Sequence, residues 1–292
     1  MQNPDSSSCR AVVSRNLRTV ILAVCWAAAS AIPATAESWT RLYVFGDSYS
    51  DSGAGYVDGN GPTAVVYLAR ELGLPFTQAN DPDRAGKGLN FAVSGAQTGE
   101  GEGQKNKEAL LGRGMKNQVR DFVERVRRGE ITFEPGHALF FLAGGLNDRR
   151  LPTETTVANL KAEMRDLHAV GARHFRVALL PTKIPQFAAV GIRLNPALAR
   201  IPAEFQLDGA VVQISHWGEF FDDVMEEPAR HGIVNTKDAC AGRALFGQDT
   251  TPKGDPETFY FYHEGHPSTA VHRAVGKQLA AEVRASGSTG SK

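Results

Sequence analysis

A three-layer α/β/α architecture, with a central parallel sheet covered by helices on both faces, follows from two observations in this 292-residue chain. Short apolar runs alternate with amphipathic stretches from residue 37 onward, the pattern that builds βαβ units. The 256 residues from 37 to 292 contain no internal repeat and no linker, so one sizeable domain fits them better than two small ones.

Residues 1–36 read as an export leader. Arg10, Arg15 and Arg18 precede an apolar run from residue 19 to 32, and Ala34-Thr35-Ala36 supplies small residues for cleavage before Glu37. The run is short for a bilayer span and is followed by Pro33. A cut after Ala36 is predicted, leaving a secreted or periplasmic chain with no membrane span. The first strand is then 42–45, followed by a helix over 63–72 that Gly73 stops. Val119, Phe122, Val123 and Val126 recur at helical spacing, as do Leu160, Met164, Leu167 and Val170. Between and after them, residues 138–142 and 175–180 read as buried strands, the second halted by Pro181. The closing helix begins near Pro267-Ser268 and turns Val271, Val275, Leu279 and Val283 to one side. The domain is expected over 37–285 and a polar tail over 286–292. Two stretches lack a period and read as loops overhanging a site: 98–116, rich in glycine and charge, and 183–206, with three prolines.

Composition excludes several classes. Of 32 basic and 32 acidic residues, three arginines and Asp5 lie in the leader, so the remainder carries a net charge near −2 and implies no nucleic-acid partner. Cys9 and Cys25 also fall in the leader, which leaves Cys240 without a disulfide partner and reading as a small buried hydrophobe. His263-Glu264-Gly265-His266 lacks the spacing of a helical zinc pair, and neither metal nor cofactor is implied.

Chemistry concentrates where the strands end. Phe45-Gly46-Asp47-Ser48 puts a serine on a glycine-rich turn beyond a buried strand, a candidate nucleophile that needs a base and oxyanion donors. Val93-Ser94-Gly95 offers an amide without a side chain in the way, Gly144-Gly145-Leu146-Asn147-Asp148 delivers a carboxamide, and His266-Pro267-Ser268 precedes the last helix. The remaining histidines, His272 among them, read as surface or helix residues. Asp148 reads as a turn stabiliser and Asp47 as a structural hydrogen-bonding residue.

These four blocks, in this order, resemble the SGNH hydrolase superfamily and its GDSL lipase/esterase branch, and the resemblance covers the whole mature chain. It implies a flavodoxin-like SGNH hydrolase fold. It further implies Ser48 as nucleophile, His266 as general base, and an oxyanion hole of the Ser48 and Gly95 amides with the Asn147 side chain. The chain departs from the family at one position: His263 stands where an aspartate normally orients the base. Three arrangements remain open: a Ser48/His266 dyad oriented by a backbone carbonyl, Glu264 or Asp255 acting from a shifted backbone, or neutral His263 accepting the hydrogen bond. The expected activity is hydrolysis of a small ester, a lipid or an acetylated glycan. An acyltransferase of the same fold and a non-catalytic binding module with a decayed charge relay are the competing readings.

Overall fold

A computed structural model of the protein describes residues 39–53, 58–107 and 109–287. These lie within one compact unit, and the predicted leader and the last five residues of the predicted tail fall outside them.

The first strand forms as its apolar run predicts: β1, Arg41–Gly46, is buried from Leu42 onward. The helix α1, Ala64–Glu71, follows. Two short strands come next, β2 at Phe76–Gln78 and β3 at Gly88–Asn90. The helix α2, Met115–Arg127, leads to β6, Ala138–Ala143, which is buried throughout. The helix α3, Thr153–Ala169, leads to β7, His174–Ala178, and later to β8, Val211–Ser215, and α6, Trp217–Glu226. Six strands pair in the order β2-β3-β1-β6-β7-β8, all parallel. Helices cover both faces, so the three-layer expectation holds.

From β1 the chain runs to the edge strand β2 and returns to β3 between them, then crosses to β6, β7 and β8 on the other side of β1. Such a reversal opens a crevice at the carboxyl ends of the two central strands. Gly46 and Ala143 are paired at those ends, and a Cβ on Gly46 would stand 2.6 Å from the Ala143 carbonyl oxygen. Only glycine lets the strand that leads to Ser48 lie this close. One face of the sheet packs Tyr43, Phe45, Phe122 and Phe140 edge to face, contacts that add to the large apolar burial of each ring.

A second sheet, β11-β10-β9, stands apart from the first. It comprises β9 at Asn235–Ala239, β10 at Phe259–His263 and the two-residue β11 at His266–Pro267. The last helix α7, Thr269–Gly287, starts directly after β11 and packs on α1 and α6. It runs two residues into the stretch predicted as tail.

Both stretches read as irregular are in fact regular. Residues 98–116 contain an antiparallel hairpin of β4, Glu102–Asn106, and β5, Ala109–Arg113. The half-exposed residues of β4, the evenly half-buried residues of β5 and the positive-φ Gly103 and Gly112 erased the alternation that marks a strand. Residues 183–206 contain α4, Ala188–Leu198, and α5, Ile201–Glu204. Pro196 lies within α4, and Pro202 occupies the first turn of α5, where its missing N–H costs nothing. The strand predicted over 175–180 stops at Ala178.

Candidate active site

Each sequence-predicted residue is delivered by the end of a different element. Ser48 follows β1 in a turn closed by the Ser50 and Asp51 amides, which both donate to the Asp47 carbonyl. Asp51 reaches across to the next block: its carboxylate accepts from the Ser94 amide at 2.8 Å and the Ser94 hydroxyl at 3.0 Å. That bond pair fixes the loop carrying Gly95, whose φ of +80° is tolerated without strain only by glycine. Asn147 lies beyond β6 and is tied to the same loop twice. Its Nδ2 donates to the Ala96 carbonyl at 2.9 Å, and Gln97 donates to the Asn147 carbonyl at 3.0 Å. Below it, buried Asp148 accepts from the Thr98 hydroxyl, the Thr98 amide and the Thr156 hydroxyl. Asp148 thus stitches the two loops together. Among the described residues neither the Ser48 amide nor the Gly95 amide donates a hydrogen bond, so both donors are available to a ligand.

His266 comes from the second sheet, 218 residues beyond Ser48, and its Nε2 stands 2.8 Å from the Ser48 hydroxyl oxygen. The Tyr49 hydroxyl donates to the Gly265 carbonyl at 2.8 Å and so couples the histidine's turn to the serine's turn. For Nε2 to act as a base its lone pair must face Ser48, and the proton then resides on Nδ1. The Glu264 carbonyl lies 3.1 Å from Nδ1, placed to accept that proton in this tautomer, whereas the Arg243 guanidinium, which can only donate, lies 2.5 Å from the same atom and fits the other tautomer. The Glu264 side chain is exposed, and the Asp255 carboxylate accepts instead from the Glu257 amide at 3.0 Å. His263 directs Nδ1 to the Ala241 carbonyl at 3.0 Å. Among the described residues, His266 Nδ1 is met by the Glu264 carbonyl and by none of the Glu264 carboxylate, Asp255 and His263.

Two charged groups that the sequence did not single out complete the surroundings. Arg243 places Nη2 2.5 Å from His266 Nδ1 and donates to the Glu264 carbonyl at 2.8 Å. Asp58 places one carboxylate oxygen 3.0 Å from His266 Nε2 and the other 3.4 Å from Arg243 Nε. Neither residue carried a spacing signal, because tertiary packing alone brings 58, 243 and 266 together. Burial, and then the Arg243 guanidinium, hold the His266 pKa down at about 3, while the Glu264 carbonyl works in the opposite direction. The imidazole is therefore held toward its neutral form. Burial also lowers the pKa of His263.

Asp47 is fully buried, and burial lifts its pKa to about 7. Its carboxyl accepts from the Tyr49 amide at 3.2 Å, a structural role. His272 is a helix residue but a buried one, accepting from the Ala64 amide at 3.2 Å. Cys240 is fully buried and free. Among the described residues no cluster of three or more His, Cys, Asp or Glu is arranged to hold a metal, and no helix is long and apolar enough to cross a membrane.

A cavity of about 190 Å³ opens over Ser48, bounded by Gly95, Asn147, His266 and Phe187, with Arg149 and Arg243 at its walls. Arg149 is held over the Phe187 ring, 5.1 Å from its centroid. A broader groove of about 750 Å³ along the β4–β5 hairpin meets this cavity at Gly95 and Leu111.

Three comparisons bear on this arrangement. The chain is similar to a thermolabile hemolysin of Vibrio parahaemolyticus, 25% identical over 249 residues, which cover 75% of this chain and 54% of that protein. It thus spans about half the length of that curated relative. Among solved structures, a lipolytic G-D-S-L family protein of Veillonella parvula matches 84% of this chain and 97% of its own at 13% identity, with a TM-score of 0.44. The lipase Lip_vut3 from a goat rumen metagenome matches 83% and 96% at 12% identity, with a TM-score of 0.43. The match to GDSL-like lipases and acylhydrolases runs from residue 42 to 279, from β1 through most of the closing helix, and on that extent the chain belongs to the GDSL-like lipase/acylhydrolase family.

Proposed function

We propose that the protein is an exported serine ester hydrolase working through an acyl-enzyme on Ser48. The observation that carries this reading is the 2.8 Å approach of His266 Nε2 to the Ser48 hydroxyl beneath an open cavity. Ser48 Oγ bonds to the acyl carbon as its proton passes to Nε2, and the carbonyl π pair moves onto oxygen. The Ser48 amide, the Gly95 amide and Asn147 Nδ2 receive that oxyanion. Nε2 then returns its proton to the leaving alcohol as the ester C–O bond breaks. Water repeats the sequence on the acyl-enzyme and releases the acid. The small volume over Ser48 favours a short acyl group, with the leaving group directed toward the hairpin groove. Membership of a lipase and acylhydrolase family supports ester hydrolysis as the reaction class.

Treating the mature protein with a fluorophosphonate probe and comparing it with Ser48→Ala tests the reading. The wild type is expected to label stoichiometrically and the variant not at all. A wild type that stays unlabelled would leave the fold as a binding module.

A further inference from the structure

His266 must become an imidazolium midway through each half of the proposed reaction, and it does so beside a fixed cation. Arg243 Nη2 is 2.5 Å from Nδ1, and the groups facing the ring from neighbouring elements, His263 on β10 and His272 on α7, also oppose a positive charge there. Tyr49 presents only a ring, its centroid 5.8 Å from that of His266. The Glu264 carbonyl, 3.1 Å from Nδ1, carries only a partial charge. The position where the family resemblance expects a carboxylate holds His263, which faces Ala241. The required negative charge is nonetheless present, on the other side of the ring. Asp58 is buried and lines the cavity with Ser48, and its carboxylate lies between Nε2 and the Arg243 guanidinium.

We infer that Asp58 is a catalytic residue, the counter-charge that stabilises the His266 imidazolium through the reacting Nε2 edge. The inference rests on the hydrolase reading above. When the Ser48 Oγ–H bond breaks and the proton reaches Nε2, the new N–H faces both the substrate and the Asp58 carboxylate. The attraction between carboxylate and ring thus grows as charge develops and relaxes when the proton passes to the leaving oxygen. The same carboxylate neutralises Arg243, so one acid balances both cations. This geometry differs from a triad in which the acid holds Nδ1: here Nδ1 faces the Glu264 carbonyl and Arg243, and charge compensation comes from Asp58 on the Nε2 side.

Hydrolysis of p-nitrophenyl acetate tests the inference. Asp58→Asn is expected to lower kcat at pH 8 about ten- to a hundredfold with KM nearly unchanged, the scale of one hydrogen bond to a charged group. The charge itself is read from the acid limb of kcat/KM in Arg243→Gln, with and without Asp58→Asn. With the guanidinium gone the limb rises above that of the wild type. Adding Asp58→Asn brings it down by about one pH unit or more, since loss of a nearby negative charge disfavours the protonated ring. Asp58→Glu recovers part of the activity. A limb that coincides in the single and double variants, even with a low kcat, reduces Asp58 to a structural partner of Arg243 and overturns the inference. So does an Asp58→Asn enzyme with wild-type kcat. If Asp58→Asn alone fails to fold, the comparison of double with single variant still decides. A wild type that neither hydrolyses the ester nor takes up the fluorophosphonate refutes the hydrolase reading itself, whereas an active wild type beside an unaffected variant refutes only the role of Asp58.

Discussion

Replacing Asn147 by alanine removes one of three hydrogen-bond donors gathered above Ser48 and leaves the two backbone amides in place. The remaining donors cannot compensate, because the turns that carry them are fixed by Asp51 and Ser94 and do not move toward a vacated position. The carboxamide commits Nδ2 to the Ala96 carbonyl at 2.9 Å. One of its hydrogens therefore sets the orientation while the other is free for a ligand, and no rearrangement is needed as charge appears on the substrate oxygen. A preorganised donor of this kind is worth about 3 kcal/mol of barrier, so kcat should fall on the order of a hundredfold or more with KM little changed. The lost bond to Ala96 leaves a carbonyl at a half-buried position, costing about 1 kcal/mol of stability. Steady-state hydrolysis of p-nitrophenyl acetate, paired with the rate of fluorophosphonate labelling, separates the two effects: both rates should fall together while the melting temperature drops only slightly. A folded Asn147→Ala enzyme whose kcat lies within about threefold of wild type, or whose loss appears in KM alone, would refute the assignment of Asn147 to the oxyanion.

Buried His272 has its pKa pushed down to about 3, so the folded state refuses a proton that the unfolded chain takes up near 6.5. Its contribution to stability is complete above that pH and is lost on acidification toward 3, by up to about 1.4 kcal/mol per pH unit; urea melts between pH 7 and 4 should show a shallower decline in His272→Gln, and an unchanged slope would count against it. Gly95→Ala places a Cβ 3.5 Å from the Gly112 nitrogen, an ordinary contact, but forces a positive φ on alanine. About 1 kcal/mol of stability should be lost, read by thermal melting, together with a larger proportional loss of kcat as the Gly95 amide is displaced; wild-type turnover in a stably folded variant would remove that amide from the oxyanion hole. Expressed with its leader in an exporting bacterial host, the protein should be recovered with Glu37 as its first residue, and a mature mass that retains residues 1–36 would contradict the cleavage reading.

The central elements were legible because their residues face apolar surroundings on every side. The run through Leu42, Tyr43, Val44 and Phe45 and the run through Phe140, Phe141 and Leu142 describe the two strands at the heart of the sheet. The site blocks were legible for a related reason: Gly46-Asp47-Ser48, Gly95, Asn147 and His266-Pro267 each need a local backbone geometry that particular residues encode. The hairpin carrying Glu102, Gln104 and Lys105 was not, since no buried face alternates along β4 or β5 and its glycines read as loop. The helix around Pro196 was hidden by a residue that usually ends one. Asp58 and Arg243 stayed out of sight because their meaning is relational: neither is unusual until the fold brings it to His266.

Ser48 stands in the turn just after β1, while His266 sits on a two-residue strand just ahead of the last helix. The proposed activity therefore depends on a contact across 218 residues, and long-range contacts of this kind are among the slowest to form. A polypeptide emerging from synthesis or export carries an unassisted serine until its final segment docks through Tyr49 and Gly265. Under the hydrolase proposed above, the chain is in this sense its own safety catch: a centre harmless to the cell that makes it for as long as it is incomplete. The appearance of fluorophosphonate labelling during refolding would serve as a clock for the arrival of the carboxyl-terminal layer.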